Sequence, residues 1–125
     1  MNFTDLLSQI ALGEDSRRQF KRHVTNADSL AAEMAAFANS EGGTIFLGVA
    51  DDGSMPGLSR LDVMRINQLI GNAASQHVRS PLTGQTENID VGDERVVIVH
   101  TIPKGQDKPY FDRNGGASGS RAPRT

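Results

Sequence analysis

The spacing of apolar positions changes several times along the chain, and each change marks an element. Residues 3–12 carry Leu6, Leu7 and Ile10 at helical spacing, with Thr4 as the expected N-cap and Gly13 as the stop. Residues 16–24 alternate instead. Phe20 and Val24 are their sparse apolar members, so a strand near a sheet edge is expected. Residues 26–40 return to the helical period: Leu30, Met34, Phe37 and Glu41 fall on one side, with Ala31, Ala35 and Ala38 beside them. The alanine face permits close packing on a sheet. Gly42 and Gly43 suit the end of that helix, because glycine takes positive φ without a Cβ penalty. Residues 44–50 are uncharged, β-branched and aromatic, as in a strand covered on both faces.

Asp51-Asp52-Gly53 then turns the chain. Ser59 is a good N-cap, with Asp62 three positions later to complement the helix dipole. Val63, Ile66, Ile70, Ala73 and His77 mark one face of a helix over 60–78, which Pro81 and Gly84 break. Residues 86–91 and 95–102 read as a hairpin joined through Gly92-Asp93. Its second arm holds the continuous apolar run 96–99 of a central strand, and Pro103 ends it. Residues 109–113 suit a last edge strand. The order α-β-α-β-α-β-β predicts an α+β fold, a single mixed sheet with helices packed on it. A domain over 1–113 is expected, followed by a flexible Gly/Ser/Arg-rich segment over 114–125 that looks like the start of a linker.

Composition narrows the classes. A chain of 125 residues holds one domain with one core, and 37% hydrophobic against 5% aromatic content makes that core aliphatic. The absence of Cys excludes disulfides and thiolate metal sites, so a reducing cytoplasm is the expected home. No stretch approaches the roughly 18 apolar residues of a membrane span. The opening Met1-Asn-Phe-Thr-Asp lacks the basic region of a signal peptide, so none is expected. The net charge of −2 argues mildly against a dedicated nucleic-acid binder. The distribution is more favourable. Arg17, Arg18, Lys21 and Arg22 cluster with no acid over residues 16–24, and residues 104–125 are also basic on balance.

Strand alternation places Arg17, Gln19, Lys21 and His23 on one face and Arg18, Phe20 and Arg22 on the other. Cations at this spacing can follow a phosphate backbone, or they can simply keep a solvated edge strand from aggregating. Gly42 and Gly43 have the same two readings: a turn required by the architecture, or a place where backbone N–H groups approach a phosphate. No Lys-Ser/Thr pair follows Gly43, so this is not a P-loop. His23, His77 and His100 lack ligand spacing and read as surface or helix-face residues. Tyr110 and Phe111 suit either a core edge or base stacking near Arg113.

Several blocks occur together in order: Glu14, Gln19-Phe20-Lys21, Ala36-Phe-Ala-Asn-Ser-Glu-Gly-Gly43, Gly48-Val-Ala-Asp-Asp-Gly53 and Phe111-Asp-Arg-Asn-Gly115. This series resembles the Schlafen/AlbA-type DNA-binding domain family, over nearly the whole chain. The resemblance implies an Alba-related α+β domain, found N-terminal to other modules in bacterial regulators, that binds nucleic acid. On that basis Arg17, Lys21, Arg113, Arg121, Gly42 and Gly43 are the expected nucleic-acid contacts, with DNA as the partner and no cofactor. An oligomerisation module, dimeric through helices or edge strands, is the alternative that the acidic net charge favours. Some Schlafen members cut RNA with three metal-holding carboxylates. The first matches Glu14 and the third Asp51 or Asp52, but the second falls on Gln19, a neutral amide, with Asp15 and Glu41 as the remaining substitutes. This departure argues against a nuclease.

Overall fold

A capping box opens the first helix, α1 (Phe3–Ala11): the Asn2 side chain accepts from the Asp5 N–H, and Asp5 answers the Asn2 N–H. The cap is therefore Asn2 and not Thr4. The computed structural model describes residues 1–24, 26–77 and 84–105, without the side chains of residues 76 and 77. Its elements after α1 are β1 (Arg18–Lys21), α2 (Ala27–Asn39), β2 (Gly43–Leu47), α3 (Arg60–Asn72), β3 (Gln85–Gly92) and β4 (Arg95–Ile102). Asn26 caps α2 and Ser59 caps α3, each by accepting a backbone N–H three residues on. Beyond α3 the chain continues as a π-helical turn, Ala73–His77. The expected strand over 109–113 and the segment over 114–125 lie outside the described residues.

The strands form one mixed sheet in the order β1-β2-β4-β3. β1 runs parallel to β2, and the other two pairings are antiparallel. A parallel pair needs a crossover, and α2 supplies it. Among the described residues β1 and β3 are thus the edges, and the apolar run in β4 is central, as its pattern predicts. Helices cover both faces. Phe37, Ile45, Leu47, Ile66, Ile98 and Ile102 belong to a core between the sheet and α2 and α3. Leu6, Ile10, Phe20, Phe46, Val97 and Val99 form a second core under α1. Phe20 meets Phe46 edge-on, with ring centroids 5.8 Å apart. β2 is buried from both sides, which explains its uncharged sequence.

Two local expectations change. The hairpin turns through Asp93 and Glu94, both at positive φ (54° and 58°), whereas Gly92 belongs to β3 beside a register shift. Both central positions of such a two-residue turn need positive φ, whatever residues occupy them. His100 is also not at the surface. It is 3% exposed, paired across the sheet with Thr86, whose hydroxyl lies 2.9 Å from its Nδ1. Strand alternation turns it inward, to the same side as Ile98 and Ile102.

The glycine pair fastens α2 to the sheet. Gly42 has φ +82°, and its N–H donates to the Phe37 carbonyl at 2.8 Å, closing the helix end. A Cβ on Gly42 would stand 2.7 Å from the Ile102 carbonyl oxygen and 2.8 Å from the Lys104 nitrogen. A Cβ on Gly43 would lie 2.1 Å from the Phe37 ring. These two glycines let a helix end, a strand start and the end of β4 touch at backbone distance.

Candidate functional site

At the end of the sheet where β1 and β2 begin, side chains of opposite character are brought into register. Arg18 pairs with Thr44, and Thr44 pairs with Thr101, so one guanidinium and two hydroxyls form a row across three strands. With strands about 4.8 Å apart, that row is roughly 10 Å wide. Arg17 adjoins it at the start of β1, and Glu41 and Lys104 stand at the rim where α2 and β4 end. Gln9 of α1 and the Gly43 backbone complete an open cleft of about 480 Å³.

The cations here are held differently. The Arg18 guanidinium donates to Asp15 at 2.7 Å and to Gln9 at 2.9 Å, and is only 22% exposed. Slight desolvation pulls the Asp15 carboxyl upward, but the Arg17 N–H and the Arg18 charge outweigh it and hold Asp15 below the usual carboxylate value. Lys104 faces Glu41 at 3.5 Å, both largely exposed. Arg17 is exposed, and its guanidinium is in no ion pair among the described residues. The cleft therefore offers one open guanidinium, one locked guanidinium, one ammonium and two hydroxyls. This donor set suits an oxyanion such as a phosphate.

Of the residues expected to bind nucleic acid, the fold brings Arg17 and Gly43 to this cleft. Gly42 lies directly behind it, with its N–H already bonded. Lys21 is half-buried and pairs with Leu47 at the far end of the strands. There the chain turns through Asp51 and Asp52, and the acidic tip Asp93-Glu94 lies at the same end. The basic strand thus runs from the cleft to an end where these acids stand among Arg22, Arg60 and Arg95. Arg113, Arg121, Tyr110 and Phe111 lie outside the described residues. Arg18, assigned by alternation to the face of Phe20, does lie there, under α1, and that face forms the cleft. Lys104, Thr44 and Thr101 escape sequence reasoning, because only the pairing of β2 with β4 brings them beside Arg18.

The candidate carboxylates have other partners. Glu14 Oε1 accepts the Phe20 N–H at 2.7 Å, giving the edge strand a partner it would otherwise lack. The Ser54 hydroxyl and N–H both donate to Asp52 and hold its carboxyl below the usual value. Asp51 and Asp52 border a small groove with Gly13 and Phe20 on the α1 side. Gln19 alternates with Phe20 and turns its side chain to the other face of the sheet, where its Oε1 is buried with no hydrogen-bond partner among the described residues. An acid at position 19 would thus face away from the other two. Among the described residues no three His, Asp or Glu side chains gather to hold a metal. No helix there is long and apolar enough to cross a membrane.

Known proteins place this geometry in a wider group. The N-terminal domain of an ATP-dependent DNA helicase RecG-related protein from Nitrosomonas europaea has a TM-score of 0.72 at 22% identity, over 95% of this chain and 85% of that one. The DIP2311 protein from Corynebacterium diphtheriae has a TM-score of 0.55 at 19% identity, over 91% of this chain and 24% of that one. The present chain thus corresponds to about a quarter of the second protein, and both are likenesses of fold. No curated protein matches the chain. Residues 14–123, from the partner of the β1 edge to beyond the cleft, match Schlafen, AlbA_2, and the chain belongs to that family.

Proposed function

We propose that this chain is a nucleic-acid-binding domain that holds phosphates in the cleft at the start of β1 and β2. The carrying observation is the convergence of Arg17, Arg18 and Lys104 with the hydroxyls of Thr44 and Thr101 at one end of the sheet. Arg17 makes the leading contact, because its charge is unpaired among the described residues. Contacts of this kind fix a strand in place without reading its bases, so sequence preference is modest. DNA is the proposed partner. The family membership supports that reading, as does the helicase-related name of the Nitrosomonas europaea protein. The natural setting is a bacterial transcriptional regulator in the cytoplasm, with residues 1–113 as the domain and 114–125 leading toward a further region. Gly105, next to the cleft residue Lys104, is anchored by its N–H, which donates to the Ala38 carbonyl. Arg113 is eight residues further on, within about 26 Å at full extension, so it and Arg121 can add contacts to the same strand.

Fluorescence anisotropy on labelled single-stranded DNA, duplex DNA and RNA over a range of salt tests this. Affinity falls linearly on a log–log plot against salt, and Arg17→Ala makes the slope shallower by about one unit. Binding that ignores salt would reject the mechanism. A second reading, a dimerisation module, is favoured by Leu61 and Met64, which stand 79% and 66% exposed on α3. Light scattering decides it: a dimer that Leu61→Glu with Met64→Glu dissociates supports the second reading, and a monomer at all concentrations rejects it.

A further inference from the structure

The rim pair of the cleft, Glu41 and Lys104, is held together by the backbone. Gly42 packs against the Ile102 carbonyl and the Lys104 nitrogen so closely that no side chain fits between, and the Gly105 N–H bonds the Ala38 carbonyl at 2.8 Å. The residues beside this clamp are Glu41 on one segment and Lys104 on the other. Their charged ends are consequently within reach of each other, and the pair lines the same cleft as Arg17. Yet the contact itself is loose: 3.5 Å, with side chains 63% and 56% exposed. Pairs of this kind contribute little to stability and exchange partners readily. The Asp15–Arg18 pair is the contrast, shorter at 2.7 Å, half-sheltered, and reinforced by Gln9.

We propose that Glu41 is a built-in competitor for the phosphate, occupying Lys104 in the free domain and giving it up when a phosphodiester enters the cleft. This rests on the nucleic-acid reading above and adds a residue to it. A carboxylate at the mouth lowers the local positive potential and keeps the cleft from holding stray anions. A strand binds only when several of its phosphates engage together, with Arg17 supplying the first contact. Glu41 thereby sets the affinity of the site without touching the ligand itself.

The test is a double-mutant cycle on the full 125-residue chain. It uses a fluorescein-labelled oligodeoxythymidine and anisotropy from low to physiological salt, with circular dichroism confirming the fold of each variant. Glu41→Gln is expected to tighten binding by about threefold at low salt, the gain fading as salt screens it. Lys104→Ala weakens binding, and on that background the Glu41→Gln gain shrinks to less than half. A gain of equal size on both backgrounds means simple repulsion and overturns the competition. No gain at all, with wild-type binding intact, overturns the role of Glu41 and leaves the cleft reading standing. Wild-type protein that binds no nucleic acid at low salt overturns both. Should Lys104→Ala unfold, the ¹⁵N-labelled Lys104 ammonium signal of the wild-type protein replaces it: it must move on adding oligonucleotide, and an unmoved signal rejects the exchange.

Discussion

Gly43→Ala separates an architectural glycine from a ligand-contacting one. The added methyl would fall 2.1 and 2.2 Å from two carbons of the Phe37 ring and 2.9 Å from the Arg17 carbonyl oxygen. Neither neighbour can yield cheaply. Phe37 is fully buried in the α2 core, and the Arg17 carbonyl accepts the Thr44 N–H that starts the β1–β2 ladder. Overpacking of a filled core costs about 1–3 kcal/mol, and overlap this deep belongs at the upper end. A loss of about 3 kcal/mol lowers the midpoint of thermal unfolding by roughly 10–15 °C in a domain of this size. Urea and thermal melts of wild type and Gly43→Ala measure it. Phe37→Leu, which removes the ring, should recover part of the loss in the double variant, although it costs stability alone. If Gly43→Ala melts within a degree or two of wild type while losing nucleic-acid affinity, the packing argument fails, and Gly43 becomes a direct phosphate contact.

The remaining predictions concern pH and the hairpin. Burial pushes the His100 imidazole down from 6.5 to about 4. Above the unfolded value, His100 is neutral in both states. As pH falls from 6.5 toward 4, the unfolded chain takes up a proton that the folded chain refuses, and stability drops by about 3 kcal/mol in all. Asp15 and Asp52, held below the ordinary carboxylate value of 3.8, lose their contribution only under that window. Urea midpoints across the range should decline, and His100→Leu should flatten the decline; an identical decline in the variant would assign it to other groups. Asp93→Asn with Glu94→Gly gives the turn residues its positive φ prefers and should raise stability by about 0.5–1 kcal/mol. A lower urea midpoint in that variant would contradict the turn geometry.

The sheet was legible where pattern and burial agree. Residues 44–47 carry no charge because β2 is covered on both faces, and Ser59 caps its helix by a rule that acts within four residues. The hairpin was legible in its arms, but its turn was not. Asp93 and Glu94 adopt positive φ because the flanking strands impose it, against their own preference. His100 reads as a polar residue and is buried because its strand is central. The site was legible only in part for the same reason. Arg17 announces itself through local charge. Lys104 is 87 positions further along the chain and joins Arg17 only because β4 lies antiparallel beside β2, which no local pattern reports. Lys21 looked equivalent to Arg17 because no local pattern reports that it pairs with Leu47 at the other end of the strands, away from the cleft.

The central claim, that the cleft at the start of β1 and β2 holds phosphates, is tested most directly by an NMR titration. Uniformly ¹⁵N-labelled protein is titrated with an unlabelled oligodeoxythymidine at low salt. The account predicts that the amide signals of Arg17, Arg18, Thr44, Thr101 and Lys104 move together and return as salt is added, while those of Asp51, Asp52, Asp93 and Glu94 stay still. Shifts centred on Leu61 and Met64, or on the hairpin end of the sheet, would contradict it.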